Sequence, residues 1–276
     1  MKLSLCLAVY NEEKNLHYPM DSALDIVDEV IIVDGGSTDR TIAVAKSYGT
    51  KVRIINSDNP IMFHKNKQKA IEAAKGEWIL QLDADEELTP ELKNEIKDAI
   101  GQSQIKSDSI RLHPISSDSI VAYNLPRKNW FLTGFLMKGG QYPDYTIRLY
   151  KNGSVRFPCK DVHENVEIIT SVIPAEAGIQ NTIGFLKNPL LHYADPDFSR
   201  YLARWDRYTT AEVERMSKDT KLNFFNYFVW KPKITFLMMY FRHKGFMDGF
   251  PGFVFALFSS IRFWVIYVKW ATRNRS

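Results

Sequence analysis

The chain has 276 residues, 45% of them hydrophobic and 25% charged, with a formal net charge of +4. That length holds one large domain or a domain with an appendage, and the composition argues against a disordered or fibrous chain. Two cysteines, Cys6 and Cys159, are too few for a disulfide framework, which fits a reducing compartment.

The charge is unevenly placed. From residue 221 onward there are nine Lys or Arg and one acid, Asp248, which leaves 27 basic and 31 acidic residues before it. The same tail holds 17 of the 36 aromatic residues. A mildly acidic body with a basic, aromatic tail predicts a negatively charged partner, nucleic acid or membrane.

The predicted elements begin with a strand over residues 3–9. Residues 1–9 look faintly like a signal peptide, but the apolar run is short and Asn11-Glu12-Glu13 follows at once. A short helical stretch opens there and is expected to break near Pro19. Strands are predicted over 29–33, 51–55 and 78–82. Helices are predicted over 38–48, ending at Gly49, over 64–74, closed by Gly76, and over 90–100, started by Thr89. Short apolar strands alternating with helices predict an α/β chain: a mostly parallel sheet with helices on both faces. The pattern weakens over 109–165, where a loop at 139–144 precedes a strand at 146–150. Residues 169–184 read as a surface loop or hairpin insertion, and 197–216 as a long amphipathic helix. Three apolar-aromatic segments follow residue 221, separated at 231–233 and 242–249.

Three strands end on polar or acidic residues: Asn11-Glu12 after the first, Asp34 on the second, Asp83-Ala84-Asp85 after the fourth. In open α/β sheets ligands bind at the carboxyl ends of strands. Gly35-Gly36 lets the backbone turn sharply there and leaves space. Taken alone, Asp34 would more often be a turn or cap residue; three coincident ends favour a site. Paired carboxylates on a loop suit Mg²⁺ or Mn²⁺, which take oxygen ligands and bridge carboxylates to phosphates.

The order AVYNEE (8–13), VDGGSTDRT (33–41), NKQKAI (66–71) and GEWILQLDADEEL (76–88) resembles the nucleotide-sugar half of family 2 glycosyltransferases, the inverting GT-A type. GGQYPDYTIRLYKNG (139–153), VHENVE (162–167), LLHYADPDFSRYLARWDRYTT (190–210) and GFMDGFPGFVFAL (245–257) are similar to the bacterial lipopolysaccharide core β-1,4-glucosyltransferase branch. The resemblance implies a GT-A domain over 1–220 and a membrane-associating helical extension over 221–276. It implies a UDP-sugar donor, glucose foremost, and a lipid-linked saccharide acceptor in cell-envelope glycan.

It also implies roles. Asp34 would bind the uracil or ribose, with Tyr10, Glu12 and Gly35 lining the same pocket. Lys67 would lie near the diphosphate, the alternative being a solvated lysine. Asp83 and Asp85 would bracket the metal and the diphosphate, with Asp85 the direct ligand. Asp144 in QYPDY matches the family's base, although Pro143 stands where the common motif has Glu. Glu164 is its rival. His163 would be a further metal ligand or a structural histidine. Arg148 would contact phosphate or pair with an acid. Alternatives are transfer to polyprenyl phosphate or another envelope glycan, or nucleotide-sugar binding without catalysis.

No stretch of the tail is apolar without interruption for the roughly 18 residues a span needs, although 249–268 has only Arg262 charged. One membrane-spanning helix is an option. Ser259, Arg262, Lys269 and Arg273 recur at helical spacing, which predicts a helix lying in the interface with its cations toward anionic lipid. A packed hydrophobic cover or an oligomer interface is the alternative. Nucleic acid is disfavoured, because the tail is too apolar. The expected location is peripheral, on the cytoplasmic face of the inner membrane.

Overall fold

Residues 3–9 form β1 (Leu3–Val9), an interior strand whose side chains are nearly all buried. In this computed structural model, residues 2–60, 63–101, 120–159, 166–169, 182–217 and 220–273 are described. After β1 come α1 (His17–Ala23), β2 (Glu29–Asp34), α2 (Thr41–Ser47), β3 (Val52–Asn56), α3 (His64–Ala73), β4 (Trp78–Gln81), β5 (Glu86–Leu88) and α4 (Pro90–Ala99). Then follow β6 (Ala122–Phe131), β7 (Gly134–Phe135), β8 (Asp144–Lys151), β9 (Val155–Arg156), β10 (Glu167–Ile168), β11 (Ile183–Phe185) and β12 (Leu190–Asp195). Among the described residues the α-helices α5 (Phe198–Arg215), α6 (Lys231–Phe236) and α7 (Gly249–Arg273) follow.

The main sheet runs β3-β2-β1-β4-β8-β6-β12-β5, with β7 and β11 paired to β6. Its first four strands are parallel, and β8 joins β4 antiparallel. The chain forms two compact units, Met1–Arg127 with Tyr145–Leu191, and Lys128–Asp144 with His192–Ser276.

In the first unit, strand alternation divides the core in two. Leu3, Leu5 and Leu7 share one cluster with Leu16 and Met20 and with Leu92 and Ile96 of α4. Cys6, Ile31 and Ile79 point the other way, onto Ala70 and Ile71 of α3. A sheet covered on both faces explains the unbroken apolar runs. Burial, with a smaller push from Glu29, raises the Cys6 thiol pKa, so this cysteine is an inert core residue. The parallel register sets Val9 opposite Asp34 and Asp34 opposite Asn56, which aligns the carboxyl ends of β1, β2 and β3.

Two predicted boundaries move. The helix expected from residue 38 starts at Thr41, because the Thr38 and Asp39 N–H groups donate to Asn11 Oδ1 and the Arg40 N–H donates to Glu13. Pro19 does not interrupt its helix. It lies in the first turn of α1, where a missing N–H costs nothing. Helix α4 starts as expected, with Thr89 Oγ1 accepting from the Leu92 N–H at 3.2 Å and Pro90 in the first turn. Most of the expected 169–184 insertion lies outside the described residues.

In the second unit, α5 belongs with the C-terminal helices, whereas the sequence division fell after it, at residue 220. The reason is polar as well as apolar. Arg262 pairs with Glu212, Lys269 donates to Asp206, Thr209 and Thr210, and Arg273 donates to the Val213 carbonyl. Tyr201 and Trp205 pack against Phe255 and Phe258. The cations Arg262, Lys269 and Arg273 of α7 are therefore partnered on α5. Close backbone approach is built in nearby: a Cβ on Gly252 would fall 2.0 Å from the Gly245 carbonyl oxygen. Among the described residues one helical stretch, Gly245–Arg273, is long and apolar enough to cross a membrane, with mean hydropathy 1.6.

Candidate active site

The loops after β1 and β2 are tied into one cradle. Asn11, at φ 56°, turns its side-chain oxygen to the Thr38 N–H at 2.8 Å, and its own N–H donates to Ser37 Oγ at 2.9 Å. The Glu12 N–H donates to Thr41 Oγ1 at 2.7 Å, and Glu12 Oε2 accepts from Asn15 at 2.7 Å. Asp34 is buried. It accepts from the N–H groups of Gly36 and Ser37, both at 2.9 Å, and from Ser37 Oγ at 2.5 Å. Its side chain thus orders its own turn, and Gly36, at φ 83°, supplies the left-handed step that a β-carbon would resist. Gly35 sits where a β-carbon would meet Asn59 at 3.4 Å. Tyr10 is exposed at the lip of the cradle.

A second cluster stands at the end of β4. Lys67 is buried on the first turns of α3 and holds Asp83 Oδ1 at 2.5 Å. Arg148 of β8 holds Asp83 Oδ2 at 2.6 Å, Glu86 Oε1 at 2.8 Å and Gln81 Oε1 at 2.9 Å. Arg127 of β6 reaches the same Glu86 oxygen at 3.3 Å. Glu86 is fully buried, and its other oxygen accepts from the Asp83 N–H at 3.0 Å, which closes the turn. Burial opposes the charge of Arg148, but Asp83 and Glu86 outweigh it and hold the guanidinium pKa above its ordinary value. Asp85 lies on this turn, half-buried.

Lys67 is therefore not a solvated lysine, and Arg148 pairs with acids. Both oxygens of Asp83 are in ion pairs. Among the described residues no group of three or more His, Cys, Asp or Glu side chains could hold a metal by itself. The donor set fits Mg²⁺ or Mn²⁺ only in the mode where one or two carboxylates share the ion with phosphates and water.

Asp144 opens β8 in the second unit, directly after Pro143, and the Tyr142–Pro143 bond is cis. Asn129 Nδ2 donates to Asp144 Oδ2 at 3.0 Å. Asn129 Oδ1 is in turn 2.7 Å from His192 Nδ1. The other predicted residues, His163 and Glu164, lie outside the described residues. Sequence reasoning missed Glu86 as an anchor, although a third acid in the DADEE run was a signal. It also missed Asn129 and His192, for which no spacing in the chain gives a hint.

The fold is that of a GT-A glycosyltransferase: a mixed α/β sheet whose parallel half presents a carboxylate turn and a glycine turn at one edge, followed by an aromatic-rich C-terminal helix. The chain belongs to glycosyl transferase family 2, whose family model matches residues 4–151. It is 26% identical to the lipopolysaccharide core biosynthesis glycosyltransferase LpsC of Rhizobium meliloti, over 100% of this chain and 95% of that protein. It is 30% identical to a TPR repeat-containing protein of Synechococcus elongatus over 60% of this chain, and there it spans 46% of the relative's length. Among solved structures, the mannosyltransferase PcManGT from Pyrobaculum calidifontis, in complex with GDP-Man and Mn²⁺, is similar in fold. Its TM-score is 0.52 at 12% identity, with 99% of this chain and 87% of that one covered.

Removing one partner from a buried ion pair costs about 3–5 kcal/mol, because the other charge is left uncompensated. Arg148→Met should lower stability by about that amount in urea unfolding. The double variant Glu86→Leu/Arg148→Met should recover at least half of the loss. Equal losses in the two variants would show that the pairing is not what holds this turn.

Proposed function

We propose that the chain transfers a hexose, glucose foremost, from a UDP-sugar to a saccharide of the lipopolysaccharide core, with inversion at the anomeric carbon. The observation that carries the reading is the strand-end arrangement of the first unit. Asp34 shapes a glycine turn, and Lys67 and Arg148 grip Asp83 with Asp85 on the same turn. Membership of family 2 supports the reaction class. The likeness to LpsC along its whole length supports the acceptor class.

Tyr10, Glu12, Asp34 and Gly35 bind the uridine in this reading, and Lys67 and Arg148 supply positive charge for the diphosphate. Asp85, with Asp83, would hold Mg²⁺ or Mn²⁺, which when bound would supply positive charge for the diphosphate. Asp144 takes the proton from the acceptor hydroxyl as its oxygen bonds to the anomeric carbon. The bond from that carbon to the diphosphate oxygen breaks, and UDP leaves with the electron pair. Glu164 is the rival for this proton, and His163 the candidate for a further ligand to the ion.

In the same reading the enzyme works at the cytoplasmic face of the inner membrane, and exposed side chains of the second unit support this. Phe224, Phe225, Trp230 and Phe241 are exposed around α6, in a stretch that also exposes Lys233, Arg242 and Lys244. Aromatic side chains beside cations suit the headgroup layer of anionic lipid.

With radiolabelled UDP-glucose and truncated lipopolysaccharide, Asp85→Ala should lose transfer by about a hundredfold or more at unchanged thermal stability. Asp144→Asn should lose as much while still binding UDP. Full activity in Asp85→Ala would remove the metal role, and loss in Glu164→Gln but not Asp144→Asn would move the base. Replacing Phe224, Phe225, Trp230 and Phe241 by Ser should abolish co-sedimentation with anionic vesicles. Unchanged sedimentation would favour a packed cover over a membrane surface.

A further inference from the structure

Three neighbouring strands of the sheet each contribute one polar side chain to a single row: Asp144 of β8, Asn129 of β6 and His192 of β12. The chemistry of the row fixes its direction. An ionised carboxylate only accepts, so the amide nitrogen of Asn129 must face Asp144. Its amide oxygen then faces His192, and an amide oxygen also only accepts. His192 must therefore carry a hydrogen on Nδ1 to make its 2.7 Å contact.

A primary amide turns readily about its last torsion. With the nitrogen end on a carboxylate oxygen and the oxygen end on an imidazole N–H, this one has a single favourable setting. All three groups are half-buried, where a mispaired polar atom costs more than in open water. Reversing the amide would set its oxygen against the Asp144 carboxylate and lose that contact, and its hydrogens would face Nδ1, which could accept them only if His192 moved its hydrogen to Nε2.

We infer that His192 is a positioning residue for Asp144. Through Asn129 it fixes the direction in which the carboxylate accepts a proton. The inference rests on the reading of Asp144 as the base. It predicts that His192 acts on turnover and leaves substrate affinity alone, since it is linked to the carboxylate through the amide. Asn at position 192 places a side-chain N–H where Nδ1–H stands, so His192→Asn preserves the row, whereas His192→Phe keeps the ring and removes the donor.

The test uses the full chain with UDP-glucose and truncated lipopolysaccharide. His192→Phe should lower kcat by about ten- to a hundredfold, with KM for both substrates within about twofold of the parent, as misorientation of a reacting group does. His192→Asn should restore kcat to within about threefold. The double variant His192→Phe/Asn129→Leu should be no slower than Asn129→Leu alone, because the two act through one contact. Unchanged kcat in His192→Phe, or equal loss in His192→Phe and His192→Asn, overturns the inference. Imidazole nitrogen NMR of the unmodified protein gives a check that needs no variant to fold: a neutral His192 with the hydrogen on Nε2 and a bare Nδ1 also overturns it. Asp144→Asn separates the two readings. If it keeps full transfer, the base assignment fails. If it is inactive while His192→Phe is fully active, the base stands and the positioning role fails.

Discussion

The interaction on which the active-site edge depends is the grip on Asp83. A lysine from α3 and an arginine from β8 hold its two oxygens, and the arginine is itself anchored on buried Glu86. Ions taken out of water cost several kcal/mol each unless they are paired, so none of these groups could be buried alone. Together they fix the turn after β4, and with it the direction in which Asp85 is presented. They also keep two cations beside a carboxylate pair, a balance that suits a diphosphate sharing a divalent ion. The cradle made by the loops after β1 and β2 works by a different device: Asn11, Ser37 and Thr41 side-chain oxygens and the carboxylates of Asp34 and Glu13 accept from backbone N–H groups.

The parallel half of the sheet was legible in the sequence, because both of its faces are covered and its strands are unbroken apolar runs between turn residues. The start of helix α4 was legible to the residue, since Thr89 and Pro90 are an N-cap and a first-turn proline. The edge position of Asp34 and of Asp83-Ala84-Asp85 followed from strand ends alone. What the sequence did not show was partnership. Lys67 and Asp83 are sixteen positions apart and Arg148 lies sixty-five beyond Asp83; nothing local marks them as one cluster. Asn129 and His192 meet because β6 and β12 are neighbours, a consequence of sheet order that no local pattern encodes.

The C-terminal region teaches the opposite lesson. Its pattern was read correctly as helical and aromatic, yet the cations at helical spacing on α7 are turned to α5. Polar residues on an apolar helix mark a face, and only the neighbouring element decides whether that face meets solvent, lipid or protein. Exposed aromatics lie both around α6, at Phe224, Phe225, Trp230 and Phe241, and on α7 itself, at Phe250, Phe253 and Trp264.

The central claim is that the cradle at Asp34 and the gripped turn at Asp83 form a nucleotide-sugar site completed by a divalent ion. Calorimetric titration of the unmodified chain with UDP-glucose, UDP-galactose and their N-acetyl forms, each with and without Mn²⁺, tests it most directly. The account predicts saturable, Mn²⁺-dependent binding of one UDP-hexose well above the others. Absence of binding by every UDP-sugar, with or without the ion, would contradict it.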